Sequence, residues 1–203
     1  ESHFVDEKIS SRICRKEIKE CNFPDNKFDI ITMWHTLEHF KEPRDYLLEI
    51  KRILKRKGIL VIALPNFDSL QAKLTKGNWF HLDVPRHLIH FTPRTLIACL
   101  ESSGFSVLKI SHFPLVYSIF GSIQSIINIF SGKKNMLFDL LNSKIKFRDI
   151  RNREIGLRDL LIMSLLIIPV SVIAIPFLFL EYLLKRGGVI TLRAALRNPY
   201  KGD

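Results

Sequence analysis

No glycine occurs before Gly58 in this 203-residue chain. The first quarter of the sequence therefore has no glycine-rich turn of the kind that lets backbone approach a ligand closely. Cysteine is scarce as well. Cys14, Cys21 and Cys99 are odd in number and contain no C-x-x-C pair, which argues against a zinc knuckle or a disulfide framework and fits a reducing cytosol. Cys21 and Cys99 read as small core residues. No signal peptide opens the chain, and no internal repeat runs through it. No initiator Met precedes Glu1, so the sequence is read as beginning inside a longer protein.

What is present is apolar mass and positive charge. Hydrophobic residues make up 47% of the chain and charged residues 25%, enough for a core and against global disorder. Thirty-one Lys and Arg against 20 Asp and Glu give a formal charge of +11. That balance suits an anionic partner, or else a basic solvated surface. Nucleic acid is not expected, because the positive charge surrounds apolar segments and does not interleave with exposed aromatics on a sheet.

Ile13 to Ile18 reads as a short strand, and Pro24-Asp25-Asn26 as a turn. Phe28–Trp34 is β-branched, aromatic and nearly continuously apolar, the pattern of a buried strand. Glu42 to Lys55 is an amphipathic helix with Tyr46, Leu47, Ile50, Ile53 and Leu54 on one face, Pro43 in its first turn and Gly58 as its C-terminal stop. Ile59–Leu64 is a second buried strand, ended by Pro65-Asn66. Strand, helix and strand with tight joints make a βαβ unit and a parallel sheet. Thr92-Pro93 caps and opens another helix, which stops at Gly104. Phe105–Ile110 is a third strand and Val189–Ala195 a final one.

Residues 28–66, FDIITMWHTLEHFKEPRDYLLEIKRILKRKGILVIALPN, resemble the second βαβ unit of class I S-adenosylmethionine-dependent methyltransferases of the type 11/23 kind. The later WFHLDVPRHLIHFTPRTL and GFSVLKI resemble one subgroup of that family. The likeness covers roughly residues 13–112 and reaches the final strand. It implies an α/β, Rossmann-like sheet with a terminal antiparallel strand, and S-adenosyl-L-methionine lying over the carboxyl ends of the parallel strands. Carried over by position, Glu17 and Ile18 would contact the adenine. Trp34 and His35 would lie beside the methionine part, and Asp83, Arg86 and His87 would face the substrate. His81 and His87 are the candidate general bases. The family's G-x-G-x-G loop and the acidic ribose ligand after it are absent, so the sheet is expected to be incomplete, lacking its first strands. Phe28–Trp34 then becomes an exposed edge, and the chain alone should bind the cofactor poorly.

His35-Thr-Leu-Glu38-His39 also matches H-x-x-E-H, a zinc-hydrolase motif that needs both histidines on one helix. His35 ends a strand, so that geometry is not expected. Glu38 and His39 read instead as groups that cap and orient the next helix. His81, Asp83, His87 and His90 read as loop hydrogen bonders. No metal is assigned.

The sequence divides into a methyltransferase-like part over 1–112, an apolar helical insert over 113–186 and a final strand and tail over 187–203. Within the insert, Phe113–Gly132 is uncharged but holds Gln124 and Asn128. Leu160–Leu180 is strongly apolar, broken by Pro169 and Pro176. The basic connector between them carries Lys144, Lys146, Arg148, Arg151, Arg153 and Arg158. Leu160–Leu180 is long enough to cross a bilayer core of roughly 30 Å. The flanking strands belong to one sheet, however, so both ends must return to the same side. A helical hairpin or in-plane helix at a membrane surface, with basic residues at the headgroups, satisfies that constraint. A buried lid or dimer contact is the alternative. The sequence thus points to a cytoplasmic methyltransferase at the inner face of a membrane, acting on a small-molecule or lipid-linked acceptor. The competing reading is a non-catalytic membrane-surface module that keeps the sheet and has lost the cofactor site.

Overall fold

The structure is a computed structural model, and it describes residues 13–112, 115–142 and 156–197. The expected tail beyond 197 and all of the basic connector except Arg158 lie outside the described residues.

Four strands form one sheet, β1 (Phe28–Trp34), β2 (Leu54–Pro65), β3 (Phe105–Ser111) and β4 (Val189–Leu196), in the order β1-β2-β4-β3. β1 and β2 are parallel, with Ile30 beside Ile59 and Trp34 beside Ala63. β4 runs antiparallel to both of its neighbours. The parallel pair is joined by α1 (Pro43–Ile53), which buries Leu47, Ile50 and Ile53 against the sheet. α2 (Leu70–Thr75) follows β2. α3 (Pro93–Ser102) starts with the expected cap: the Thr92 hydroxyl accepts from the Thr95 amide, and the Thr95 hydroxyl receives the Thr92 amide in return. Gly104 ends α3 at φ +90°, in the left-handed region that favours glycine.

Among the described residues β1 is an edge strand, and its burial shows it. Only Met33 is buried, while Ile30 and Trp34 are 62% and 51% exposed. A strand with neighbours on one side leaves half its ladder and much of its apolar surface uncovered. The core lies between the sheet and α1 and α3, where Leu47, Leu60, Ile62, Leu100, Phe105 and Leu192 are fully enclosed.

Three local expectations are corrected. Ile13–Ile18 is not a strand; Ile18–Cys21 is a short 3-10 turn instead. Cys14 and Cys21 are joined as a disulfide across seven residues, with Cα atoms 6.1 Å apart, so Cys21 is not a free core thiol and the expectation of a fully reduced cytosolic chain is not met at this pair. Gly58 does not stop the helix. α1 ends at Ile53, and Gly58 lies within β2, where an added Cβ would come within 2.7 Å of Leu54 Cδ1 and 2.9 Å of the Lys55 carbonyl oxygen. It is needed for that close approach, beside the irregular register between Phe28 and Ile30.

The insert between β3 and β4 folds as α4 (Leu115–Phe130), α5 (Met136–Leu141) and α6 (Leu157–Leu183). Ser111 lies opposite Thr191, so the insert leaves and re-enters the sheet at one end. Pro65 is paired with Val189, which makes this the carboxyl end of β2. α6 lays Val170 and Ala174, spaced one helical turn apart, on Ile123 and Ile127 of α4. Both Pro169 and Pro176 lie within the one continuous helix.

Candidate active site

The loop after β2 is fastened to the insert by a buried polar node. Gln71 Nε2 donates to Ser122 Oγ at 3.1 Å and lies 3.3 Å from each carboxylate oxygen of Glu181 in the last turn of α6. Trp79 Nε1 donates to Gln71 Oε1 at 3.2 Å. Gly188 passes directly beneath, where a Cβ would lie 2.1 Å from Gln71 Nε2. Asn128 Nδ2 donates to the Asn78 carbonyl, and Ser125 Oγ accepts from the Phe80 amide. Ser122, Ser125 and Asn128 of α4 are thus engaged by α2 and the loop after it, while Gln124 accepts from the Phe138 amide of α5.

This fastening encloses a cleft of about 670 Å³. His35, His39, His81, Asp83, Arg86 and His87 line it from the sheet side, and Phe120, Lys134, Phe138 and Leu141 from the insert. His35 follows the last residue of β1 at φ 47°, a left-handed conformation uncommon for a side chain with a Cβ, and its amide donates to the Ala63 carbonyl at 2.8 Å. The turn throws its ring into the cleft, where it stacks on His81 at 5.9 Å between centroids. Asp83, at φ 36°, ion-pairs with Arg86 at 3.0 Å. His87 is buried, and its Nδ1 meets the His81 carbonyl at 2.7 Å. Burial pushes the His87 pKa below the ordinary histidine value, with the His81 carbonyl contact and the Glu38 charge opposing. A ring held neutral in this way can accept a proton.

Of the site residues expected from the sequence, His35, His81, Asp83, Arg86 and His87 converge on this cleft. Glu17, Ile18 and Trp34 are not in its wall. Glu17 Oε2 accepts from the Tyr46 hydroxyl at 2.7 Å, which raises the Tyr46 pKa, and Ile18 packs on the core. Trp34 stands at the carboxyl end of edge strand β1. His35 and His39 do not share a helix, since Leu37–His39 is a single 3-10 turn, so the H-x-x-E-H hydrolase arrangement does not form. Glu38 and His39 do not cap α1 either. The Glu38 carbonyl accepts from the Leu88 and Ile89 amides, and His39 Nδ1 bonds the Arg86 carbonyl at 2.9 Å. The insert residues on the cleft wall, and the Gln71–Glu181 node, escaped the sequence reading. Their one signal was the run of Gln124, Ser125 and Asn128 in an otherwise apolar helix.

The chain belongs to the family of methyltransferase domains, whose model matches residues 4–110. No curated protein matches it in sequence. Among solved structures it resembles a SAM-dependent methyltransferase from Archaeoglobus fulgidus (17% identity, 94% of this chain and 73% of the other, TM-score 0.49). It also resembles the cyclase SpnF (17% identity, 90% and 54%, TM-score 0.49). A third is a Haemonchus contortus N-methyltransferase in complex with phosphomonomethylethanolamine and S-adenosylhomocysteine (13% identity, 89% and 36%, TM-score 0.45). The chain spans 54%, 61% and 62% of the length of three such structures.

The methyl donor of this family is S-adenosyl-L-methionine. The residues present fit one side of it. The carboxyl ends of β1 and β2 supply His35 in its tight turn and the half-exposed Trp34 ring, and Glu17 lies near α1. Among the described residues no glycine-rich turn lies beside the free edge of β1.

Proposed function

We propose that the protein methylates an amphiphilic or lipid-linked acceptor at a membrane surface. One observation carries this reading: the cleft at the carboxyl end of the sheet is walled on its far side by the apolar insert. The most apolar 18-residue window of α6 has a mean hydropathy of 2.7, and only 11% of that window is buried. Leu165, Ile168, Val172, Ile175 and Phe179 are each more than half exposed. That surface is far larger than a soluble monomer commonly shows to water. At 27 residues α6 is about 40 Å long, yet the insert returns to the sheet end it left. α4, at 16 residues or about 24 Å, is short for a crossing and commits its polar face to the loop. The arrangement favours α6 lying in the interface with its apolar face in lipid.

The bound cofactor supplies the activated methyl group. Glu17, Ile18, Trp34 and His35 hold it from the β1 side. Asp83 and Arg86 orient the acceptor, and His81, on the same cleft wall, takes the acceptor's proton. Placement of the nucleophile in line contributes most of the rate enhancement. The competing reading is a membrane module that keeps the sheet and has no activity. Incubation with methyl-labelled cofactor and either total lipid or aqueous extract separates these readings. Label in the lipid phase is expected. Label only in water-soluble products removes the lipid acceptor, and no transfer at all favours the module.

A further inference from the structure

Glu38 is 2% exposed, and neither of its carboxylate oxygens receives a hydrogen bond. An enclosed carboxylate in that state calls for a cation. His87 Nε2 lies 3.9 Å from Glu38 Oε1. His39 completes a cluster in which one ligand atom each from Glu38, His39 and His87 lies within 4.8 Å of the others.

The tautomers of both histidines follow from the backbone. A carbonyl oxygen can only accept, so His87 Nδ1 carries its proton toward the His81 carbonyl at 2.7 Å, and His39 Nδ1 carries its proton toward the Arg86 carbonyl at 2.9 Å. In each neutral ring the lone pair is then on Nε2. Ligating histidines are oriented in this way by a carbonyl behind the ring. The other ionisable neighbours are placed differently. Asp83 Oδ2 is 4.0 Å from His87 Nε2 but is engaged by Arg86, and His35 Nδ1 is 3.5 Å from Glu38 Oε1 while its ring stacks on His81.

We propose that Glu38, His39 and His87 bind one divalent transition-metal ion of the zinc class. Two imidazoles and one carboxylate suit Zn²⁺ or Co²⁺ and not Mg²⁺ or Ca²⁺, which take oxygen ligands. Tetrahedral bonds of about 2.1 Å place ligand atoms roughly 3.4 Å apart, so the cluster closes on metal binding. His39, half-buried on its short turn, has room to make that movement. His39 and His87 both line the cleft, so three protein ligands leave the fourth position open to it. A water or an acceptor oxygen can occupy that position. The set differs from the H-x-x-E-H spacing of the sequence: His35 drops out, and His87 enters from a loop 48 residues beyond His39.

Titration of the chelator-treated full chain with Co²⁺, followed by visible d–d absorption, tests the assignment. One equivalent is expected to bind. His39→Gln, His87→Gln and Glu38→Gln should each weaken binding by roughly tenfold or more. Circular dichroism checks the fold of each variant. If the two buried substitutions unfold the chain, His39→Gln at its half-buried position decides. Absence of stoichiometric cobalt binding, unchanged binding in His39→Gln, or a thiolate charge-transfer band placing the ion on Cys99 would overturn the proposal.

Discussion

Gln71 Nε2 lies 3.3 Å from both oxygens of Glu181, joining α2 to the end of α6 across 110 residues of sequence. This contact holds the apolar insert against the cleft. Burial raises the Glu181 pKa to about 7, against the lowering effect of hydrogen bonds from Gln71 and Gly188. The folded value exceeds the ordinary 4.5, so the folded state takes up a proton. The stabilisation is complete below pH 4.5 and is lost as pH rises through about 7, on the order of 3 kcal/mol in all. Melting temperatures measured in detergent across this window should fall with rising pH. Glu181→Gln should flatten the curve, and an unchanged slope in that variant would remove Glu181 as its source.

The glycines beneath this node leave no room for a side chain. A Cβ on Gly187 would lie 2.1 Å from the His112 carbonyl oxygen. Gly187→Ala should therefore destabilise the chain by about 1–3 kcal/mol, read as a lower urea midpoint. Gly77→Ala meets nothing within 4 Å and serves as the control.

Phe105 begins β3 and is completely buried, whereas Leu108 three residues on is 58% exposed. Phe105→Ala should cost about 3–5 kcal/mol, and Leu108→Ala no more than about 0.5 kcal/mol. Similar losses at both positions in equilibrium unfolding would contradict the placement of the core.

Ile168 and Ile175 stand on the free face of α6, 73% and 66% exposed. The double substitution Ile168→Asp/Ile175→Asp should leave the melting temperature nearly unchanged. It should lower partition onto anionic vesicles by roughly tenfold or more in a sedimentation assay. Equal partition of the variant would place the contact elsewhere.

The parts of the fold legible in the sequence are those set by local chemistry. The βαβ unit follows from two apolar runs and the Leu47–Ile50–Ile53 spacing between them, and the start of α3 from Thr92 and Pro93. What could not be read depends on pairings distant in sequence or on backbone detail. Nothing in Cys14 or Cys21 marks them as partners. Gly58 looks like a helix stop until the strand is seen to begin at Leu54. In the site, His35, Asp83, Arg86 and His87 follow from the resemblance and His81 from the chemistry of a loop histidine, and all five meet in one cleft. The approach of His39 to His87, and of Gln71 to Glu181, is created by the fold alone.

The central claim is best tested by calorimetric titration of S-adenosylhomocysteine into a longer protein, this chain preceded by a glycine-rich strand and turn, with this chain alone in parallel. The account predicts binding by the longer protein, weakened in Trp34→Ala and His35→Ala, and little or none by the chain alone. Binding by neither would contradict a methyltransferase site at the carboxyl end of β1 and β2.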